Sequence, residues 1–253
     1  MRSCVVTGAG GVIGKAIALR LLADGWKVVG MDLTFPEAAM SQLTADEATR
    51  WVELIGDVAD PAVHTEATRL ADEGAQLEGY VNCAGYNILG SVVDLPVENL
   101  ERGVAVNLLG MFHGTAAACR AMLPRGRGSI VNISSIQAKV GFPGFAAYAM
   151  SKGGVEALSR QVAAEYIQRG IRCNVVAPGL IQSNMNEELL KVSPDPERQQ
   201  KAWNHLTPMG RWGTPEDVSS SVAFFLGAES SFITGAVLGV DGGAMTIAPG
   251  QIP

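Results

Sequence analysis

The 253-residue sequence has little charge and no excess of basic residues. Only 17% of its residues are charged, and 25 acidic against 19 basic side chains give a net charge of -6. Proteins that bind nucleic acid need basic surface to neutralise phosphates, so we do not expect a nucleic acid partner. Chemistry on small molecules becomes the leading class of function.

The sequence also lacks clustered cysteines and long apolar runs. Its cysteines, Cys4, Cys83, Cys119 and Cys173, are far apart and form no C-x-x-C pair, so we expect no bound metal. In apolar runs such as SCVV, GYVNCAG and RCNVVA, a free cysteine behaves as a small buried hydrophobe. No apolar run reaches the roughly 18 residues of a membrane span, and MRSCVVTG lacks the pattern of a secretory signal. We expect a cytoplasmic protein without membrane contact.

Short apolar runs alternate with helical patterns along the whole chain. This alternation is typical of βαβ units whose parallel sheet is covered on both faces. We predict a single α/β domain over residues 1–253, with a doubly wound Rossmann-type sheet of about seven parallel strands. The predicted strands are residues 3–7, 27–32, 52–56, 79–83, 129–134, 172–177 and 236–240. Long helices are predicted at residues 12–24, 97–123 and 147–169.

A polar stretch at residues 184–210 interrupts this rhythm. It contains Pro194, Pro196 and Pro208, and it makes the connection between the sixth strand and the last helix unusually long. Long insertions of this kind often close over a site, so we predict a substrate-binding loop or lid here. A disordered loop is the alternative.

Glycines cluster at the first strand-to-helix turn, in the segment TGAGGVIG. Gly8, Gly10 and Gly14 would let a phosphate approach the backbone, and the following helix would direct its N–H groups at that phosphate. The spacing is one residue longer than G-x-G-x-x-G, and a packed turn that needs glycine is the alternative. We predict that the pyrophosphate of a dinucleotide binds at this turn.

Asp32 ends the second predicted strand, 18 residues after Gly14. An acidic side chain near this spacing accepts hydrogen bonds from the adenosine ribose and repels a 2′-phosphate. No arginine or lysine between Gly8 and Gly14 could hold such a phosphate, although Lys15 follows directly. The pattern favours NAD over NADP, with a strand-end cap as the alternative role of Asp32.

Tyr148 and Lys152 have the spacing of a proton-transfer pair. They are four residues apart, so on a helix they share a face, and Ser135 precedes them at the end of a predicted strand. A free tyrosine titrates near ~10, and a nearby ammonium favours its phenolate form. We predict that Tyr148 exchanges a proton with the substrate and that Lys152 lowers its pKa.

With these motifs, the sequence resembles the short-chain dehydrogenase/reductase family over nearly its whole length. The motifs occur in the family's order. They are TGAGGVIG, Asp57 with Val58, NCAG from Asn82, Asn107 in VNLLG, Ser135, Tyr148 with Lys152, PGLIQS from Pro178, and ITGAVLGVDGG.

The resemblance implies a role for each matching residue. Ser135 would hydrogen-bond the substrate oxygen, Asn107 would complete a proton relay through a water, and Lys152 would hold the nicotinamide ribose. Catalytic roles therefore fall on Asn107, Ser135, Tyr148 and Lys152. The implied cofactor-binding residues are Gly8, Gly10, Val12, Ile13, Gly14, Asp32, Asp57, Val58, Asn82, Ala84, Gly85, Tyr148, Lys152, Pro178, Gly179, Ile181 and Ser183.

Two cofactor-binding positions depart from the family pattern. Val12 replaces the middle glycine of TG-x-x-x-G-x-G, so the helix N-terminus could sit differently against the pyrophosphate. Ser183 replaces the commoner threonine, which keeps a hydroxyl and loses a methyl contact. Family members of this length commonly form homotetramers through two long helices, and the small-residue run GTAAACRAM from Gly114 suits close helix packing.

These features predict an NAD-dependent oxidoreductase that interconverts a secondary alcohol and a ketone. Asn184, Asn186, Glu187 and Glu188 make the predicted lid polar and favour a sugar or polyol substrate. One alternative is a 3-oxoacyl thioester reductase of the same family that uses NADPH. The other is a non-catalytic NAD-binding regulator built on the same fold.

Overall fold

Seven parallel strands form one sheet, in the order β3-β2-β1-β4-β5-β6-β7. The computed structural model describes residues 1–36 and 40–246. This sheet confirms the predicted doubly wound α/β fold. The strands are β1 Arg2–Thr7, β2 Lys27–Asp32, β3 Trp51–Ile55, β4 Gln76–Asn82, β5 Gly128–Ile133, β6 Ile171–Pro178 and β7 Val237–Val240.

The chain reverses its direction of travel across the sheet at β1. Strands β2 and β3 extend the sheet on one side of β1, and β4 pairs with the other side of it. In open parallel sheets, ligands bind outside the carboxyl ends of the strands at such a switch point. The fold therefore places a site where β1 and β4 end.

Helices cover both faces of the sheet. On one face Ile17, Leu21 and Val222 belong to a buried cluster, and on the other Ala67 and Met122 belong to a second. The helices are α1 Val12–Ala23, α2 Ala45–Arg50, α3 Pro61–Asp72, α4 Val97–Val104, α5 Gly110–Met122, α6 Ala146–Tyr166, α7 Asn184–Lys191, α8 Pro196–His205 and α9 Pro215–Leu226. None of the described helices is both long and apolar enough to span a membrane.

The long helix predicted at residues 97–123 is interrupted in the middle. A π-helical turn, Ala105–Leu109, joins α4 to α5 and contains Asn107. Such turns occur frequently at functional sites because the extra residue redirects a side chain. The helix predicted at residues 147–169 matches α6 followed by a 3-10 turn, Ile167–Arg169.

The connection at residues 184–210 is largely helical, not an irregular loop. It contains α7 and α8, which run in sequence between β6 and α9. Pro196 occupies the first turn of α8, where a missing N–H costs nothing, and the Asp195 side chain accepts a hydrogen bond from the Arg198 backbone N–H. Pro196 therefore marks a helix start within the stretch that was predicted to be a loop or lid.

Candidate active site

A groove of about 560 Å³ lies along the carboxyl ends of the central strands. Its volume is in the range of about 300–1,000 Å³ that is usual for small-molecule and cofactor sites. Most of the predicted site residues line it. They are Gly8, Gly10, Val12, Ile13, Gly14, Asp32, Asp57, Val58, Ala84, Gly85, Ser135, Tyr148, Lys152, Pro178, Gly179, Ile181 and Ser183.

The glycine turn between β1 and α1 forms the middle of the groove floor. Gly8 has a φ of +70°, and a Cβ there would lie 2.8 Å from the Ala84 Cα. Gly11 caps α1 without a side-chain hydrogen bond, so the first N–H groups of the helix have no side-chain cap. A bare backbone at a helix N-terminus suits a pyrophosphate, and this cradle therefore fits a dinucleotide.

The Asp32 carboxylate is fixed at one end of the groove by two backbone N–H groups. Gly10 N donates to Oδ2 at 2.9 Å, and Leu33 N donates to Oδ1 at 2.7 Å. A Cβ at Gly10 would lie 3.1 Å from this carboxylate and 2.4 Å from the Thr34 carbonyl oxygen. The second glycine of the motif therefore lets the turn close against Asp32 and orient its oxygens.

Asp57 follows β3 at the same end of the groove and pairs with Arg102 of α4. The Arg102 Nη2 lies 2.8 Å from Asp57 Oδ2, and Ala59 N donates to Oδ1 at 2.9 Å. Burial pushes the pKa of Asp57 upward, but these two partners outweigh burial and lower the pKa overall. Asp57 is therefore a carboxylate with a fixed orientation.

A buried histidine supports Val58, which lies beside Asp57 in the groove wall. His64 Nε2 is 2.8 Å from the Val58 carbonyl oxygen, and its Nδ1 is 2.7 Å from the Tyr80 hydroxyl. A carbonyl only accepts, so Nε2 must donate its proton, and in the neutral ring Nδ1 accepts from Tyr80. Burial lowers the pKa of His64, with His113 adding to the effect and the Val58 hydrogen bond opposing it.

This histidine makes the folded protein sensitive to mild acid. The pKa of His64 in the folded protein lies below its ordinary value near ~6.5. The contribution of the neutral ring to the free energy of unfolding is therefore fully present above pH ~6.5. That contribution is lost as the pH falls below ~6.5 toward the folded pKa, by at most about 1.4 kcal/mol per pH unit. We expect His64→Gln to flatten the decline in unfolding free energy between pH ~7 and ~5, measured by urea denaturation. His113→Gln is the control and should keep most of the decline; equal slopes for wild type and His64→Gln would contradict the assignment.

Ser135 and Tyr148 meet at the other end of the groove. Ser135 Oγ accepts from Gln137 N at 3.2 Å, which leaves its own proton free to be donated. Burial raises the pKa of Tyr148 to about 12, while its hydrogen bond with Ser135 lowers the pKa. The Tyr148 phenol is therefore protonated at neutral pH when no cofactor is bound. Its hydroxyl lines the groove and can donate a proton there.

Lys152 lies one helical turn beyond Tyr148, and its ammonium is buried. Nζ donates to the Ile133 carbonyl oxygen at 2.9 Å and lies 5.6 Å from the centre of the Tyr148 ring. Burial lowers the pKa of Lys152 to about 8. Burial is the largest influence on the pKa of Tyr148, and the lowering of that pKa by Lys152 stays a prediction.

Asn107 lies behind the groove wall and does not line it. Its Nδ2 donates to the Tyr86 carbonyl oxygen at 2.8 Å, and its Oδ1 accepts from Tyr86 N at 3.1 Å. A Cβ at Gly85 would lie 3.1 Å from this Oδ1 and 3.6 Å from Lys152 Nζ, so both polar groups approach the same glycine. Asn107 therefore fixes the segment that carries Tyr86 and stays close to Lys152.

Asn82 is the predicted cofactor contact that the structure places elsewhere. Its side chain is buried in the core, where Nδ2 donates to Thr115 Oγ1 at 3.1 Å and to Asn132 Oδ1 at 2.8 Å. The prediction that Asn82 lines the groove is wrong. The side chain points to the α5 face of the sheet, and a Cβ at Gly114 of α5 would lie 2.2 Å from Asn82 Oδ1.

The groove also contains residues that the sequence analysis did not assign. Cys83, predicted to be a buried hydrophobe, is only partly buried and lines the groove. Burial raises the pKa of its thiol to about 12, so the thiolate is disfavoured. Arg102 also lines the groove, and no local pattern in the sequence indicated it. Other such groove residues are Gly56, Asn87 and Val106.

Comparisons with known proteins agree with this geometry. A family model described as enoyl-(acyl carrier protein) reductase matches residues 8–245. The 2-(S)-hydroxypropyl-CoM dehydrogenase 3 of Xanthobacter autotrophicus is 40% identical over 245 residues, which are 96% of each chain. The galactitol 2-dehydrogenase (L-tagatose-forming) of Cereibacter sphaeroides is 37% identical, over 94% of this chain and 92% of its own.

A solved structure from Agrobacterium tumefaciens has the same fold. It is assigned as a candidate 2-deoxy-D-gluconate 3-dehydrogenase with bound NADP, is 31% identical, and superposes with a TM-score of 0.85 over 97% of both chains. The family model covers most of the chain, and both named relatives are similar to nearly all of it. This chain, with its glycine turn and its Ser135, Tyr148 and Lys152, belongs to the short-chain dehydrogenase/reductase family of nicotinamide-dependent oxidoreductases.

Proposed function

We propose that this protein is an NAD-dependent dehydrogenase that interconverts a secondary alcohol and a ketone. The observation that carries the proposal is the meeting of Ser135, Tyr148 and Lys152 at one end of a groove whose other end holds a fixed Asp32 carboxylate. A dinucleotide that spans the groove would bring its ribose to Asp32 and its reactive ring to Tyr148.

Tyr148 is the proposed proton carrier. In oxidation, the Tyr148 phenol first passes its own proton toward Lys152, and the phenolate then accepts the hydroxyl proton of the alcohol while the hydrogen on the same carbon leaves with its electron pair. A bound nicotinamide supplies the acceptor for that hydride. In reduction, the Tyr148 phenol gives its proton to the carbonyl oxygen, and positioned proton transfer of this type contributes about 10²- to 10⁴-fold in rate.

Ser135 and Lys152 are the proposed supports of this proton transfer. The Ser135 hydroxyl would donate to the substrate oxygen, since its bond from Gln137 N uses one lone pair and leaves its proton available. Lys152 is held by the Ile133 carbonyl and presents its remaining N–H donors to the groove, where it would hold the nicotinamide ribose. With Asn107 near its Nζ, it would pass the proton onward through a water.

The preference for NAD rests on the charge around Asp32. The described residues that line this end of the groove include Leu33, Thr34 and Pro36, none of which could neutralise a 2′-phosphate. The cation Arg102 is already paired with Asp57. A 2′-phosphate would therefore meet a carboxylate without a compensating charge.

Replacing Asp32 tests both the cofactor and the reaction. We expect the wild-type protein to reduce NAD about tenfold more efficiently than NADP. The measurement is the nicotinamide absorbance during oxidation of a panel of secondary alcohols. Asp32→Ala should raise the KM for NAD and reduce this preference, because the ribose loses its acceptor and the phosphate its repulsion. Asp24→Ala, which removes a carboxylate paired only with Arg20 on the surface, is the matched control. Equal preference in wild type and Asp32→Ala would count against the assignment.

A sugar or polyol is the proposed substrate class. The groove lining includes four neutral polar side chains besides Ser135 and Tyr148, namely Tyr86, Asn87, Gln137 and Asn186. Neutral amides and a phenol hydrogen-bond hydroxyl groups without attracting a charged tail. The segment of residues 184–210, with Asn186 in the groove wall, is the proposed lid over this substrate.

The thioester reductase remains the second candidate. The family model's description names an acyl carrier protein, and the NADP in the Agrobacterium structure supports use of the phosphorylated cofactor. The same assay separates the two candidates, because a thioester reductase would prefer NADPH and act on a 3-oxoacyl thioester. A non-catalytic regulator would need none of the proton-transfer groups that are present here.

Assembly as a cytoplasmic homotetramer is also proposed. The long helices expose apolar side chains in the monomer, with Leu109 47%, Phe112 52% and Met150 53% exposed. Packing these helices against a second copy would remove that surface from water.

A further inference from the structure

We propose that Arg102 stacks its guanidinium plane on the adenine ring of the bound dinucleotide. This inference rests on the proposed placement of the cofactor in the groove. It assigns Arg102 as a positioning residue for the base, a role in which the planarity of the side chain matters more than its charge.

The position of the base follows from the order of the strands. The glycine turn after β1 holds the pyrophosphate, and Asp32 after β2 holds the ribose. Strand β3 is the next strand outward, and the three residues that follow it, Gly56, Asp57 and Val58, all line the groove. The base, which extends beyond the ribose, therefore lies against this segment.

Arg102 reaches the same place from the opposite side. It comes from α4, lines the groove, and contacts Asp57 through Nη2 at 2.8 Å. The Asp57 carboxylate is itself held by Ala59 N, so the guanidinium has a fixed anchor. Arg102, Asp57 and the buried Val58 therefore line the stretch of groove where the base would lie.

The ion pair decides which interaction Arg102 can offer. Its charge is largely compensated by Asp57, so it is a poor ligand for a phosphate. An anchored guanidinium keeps its two flat faces, which stack on aromatic rings, and its other N–H groups remain available to ring nitrogens. A lysine in the same position would preserve the pair with Asp57 and have no flat face.

Binding of ADP-ribose tests the inference without turnover. This molecule has the adenine, both riboses and the pyrophosphate of the cofactor and lacks the nicotinamide, so it binds without hydride transfer. We expect Arg102→Met to weaken its binding by roughly tenfold in isothermal titration calorimetry. Arg102→Lys should also bind more weakly than wild type, because the ammonium keeps the charge but has no flat face to stack on the base.

Two controls separate stacking from other effects. Arg125→Met removes an arginine that is paired with Asp72 at 3.0 Å and does not line the groove, and it should leave ADP-ribose affinity unchanged. At about 1 M salt the Debye length falls to about 3 Å, so interactions between exposed charges are largely screened. The loss of ADP-ribose affinity in Arg102→Met should persist at this salt concentration. Thermal melting of each variant without ligand confirms that it is folded.

The outcomes are distinct. Wild-type affinity in Arg102→Lys, or disappearance of the loss at high salt, would mean that charge alone acts and would overturn the inference. Unchanged binding in Arg102→Met would also overturn it while leaving the proposed function in place. If wild type itself failed to bind ADP-ribose, the placement of the dinucleotide, and with it the proposed function, would fall.

Discussion

Tyr148→Phe should lower kcat by about 10²- to 10⁴-fold while keeping most of the affinity for ADP-ribose. The substitution removes one oxygen and keeps the ring, so the packing of α6 against the groove is preserved. Without the hydroxyl, no group at this position can take or return the substrate proton. Steady-state rates with the best alcohol of the panel, together with calorimetry of ADP-ribose, measure the two halves of this expectation.

A second tyrosine of the same helix provides the comparison. Tyr166 ends α6, does not line the groove, and packs partly buried against the core. Tyr166→Phe should therefore retain near wild-type kcat. If Tyr148→Phe also retained it, the proton-transfer role would be refuted; if it lost ADP-ribose binding as well, the effect on kcat would be structural.

Gly14→Ala should destabilise the fold by about 3 kcal/mol, a large effect for a single methyl group. A Cβ at Gly14 would lie 2.0 Å from the Gly8 carbonyl oxygen and 2.6 Å from the Gly8 carbonyl carbon. Both atoms belong to the backbone of the glycine turn, so neither can rotate away. The turn and the start of α1 must move apart, which lowers the midpoint of thermal unfolding by about 6–12 °C in a chain of this size.

Gly11 is the matched control within the same turn. A Cβ there would be 3.3 Å from the Gly8 carbonyl oxygen, and Gly11 has an ordinary φ of -82°. Gly11→Ala should change the unfolding midpoint only slightly. Both glycines line the groove, so the midpoints are compared by thermal unfolding without ligand. Similar midpoints for Gly14→Ala and wild type would contradict the prediction and show that the turn can relax.

The local patterns in the sequence predict much of this molecule. Alternating apolar runs predict the strands within a few residues, and the spacing of Tyr148 and Lys152 places both on one side of α6 because helical periodicity is a local property. The glycine turn and Asp32 are likewise close in sequence to the elements that position them. These features depend on short stretches of chain.

Other features depend on packing between distant segments, and the sequence predicted them poorly. The pair of Asp57 and Arg102 joins β3 to α4 across 45 residues, and no local pattern indicates it. Asn82 belongs to a recognisable motif, yet the motif does not reveal which face of the sheet its side chain takes. The raised pKa of Tyr148 depends on burial by the surrounding elements, which a reference value for a free phenol omits.

The order of the strands divides the groove into two stretches of sequence. Residues 8–58 supply the glycine turn, Asp32, Asp57 and Val58, whereas residues 84–183 supply every side chain proposed to touch the reacting atoms. Grafting residues 8–58 from a relative should therefore exchange the preference for NAD or NADP and leave the proton-transfer residues in place. Arg102 lies outside the grafted segment but pairs with Asp57 inside it. A chimaera without a partner for Arg102 should take the donor's cofactor preference and bind that cofactor more weakly.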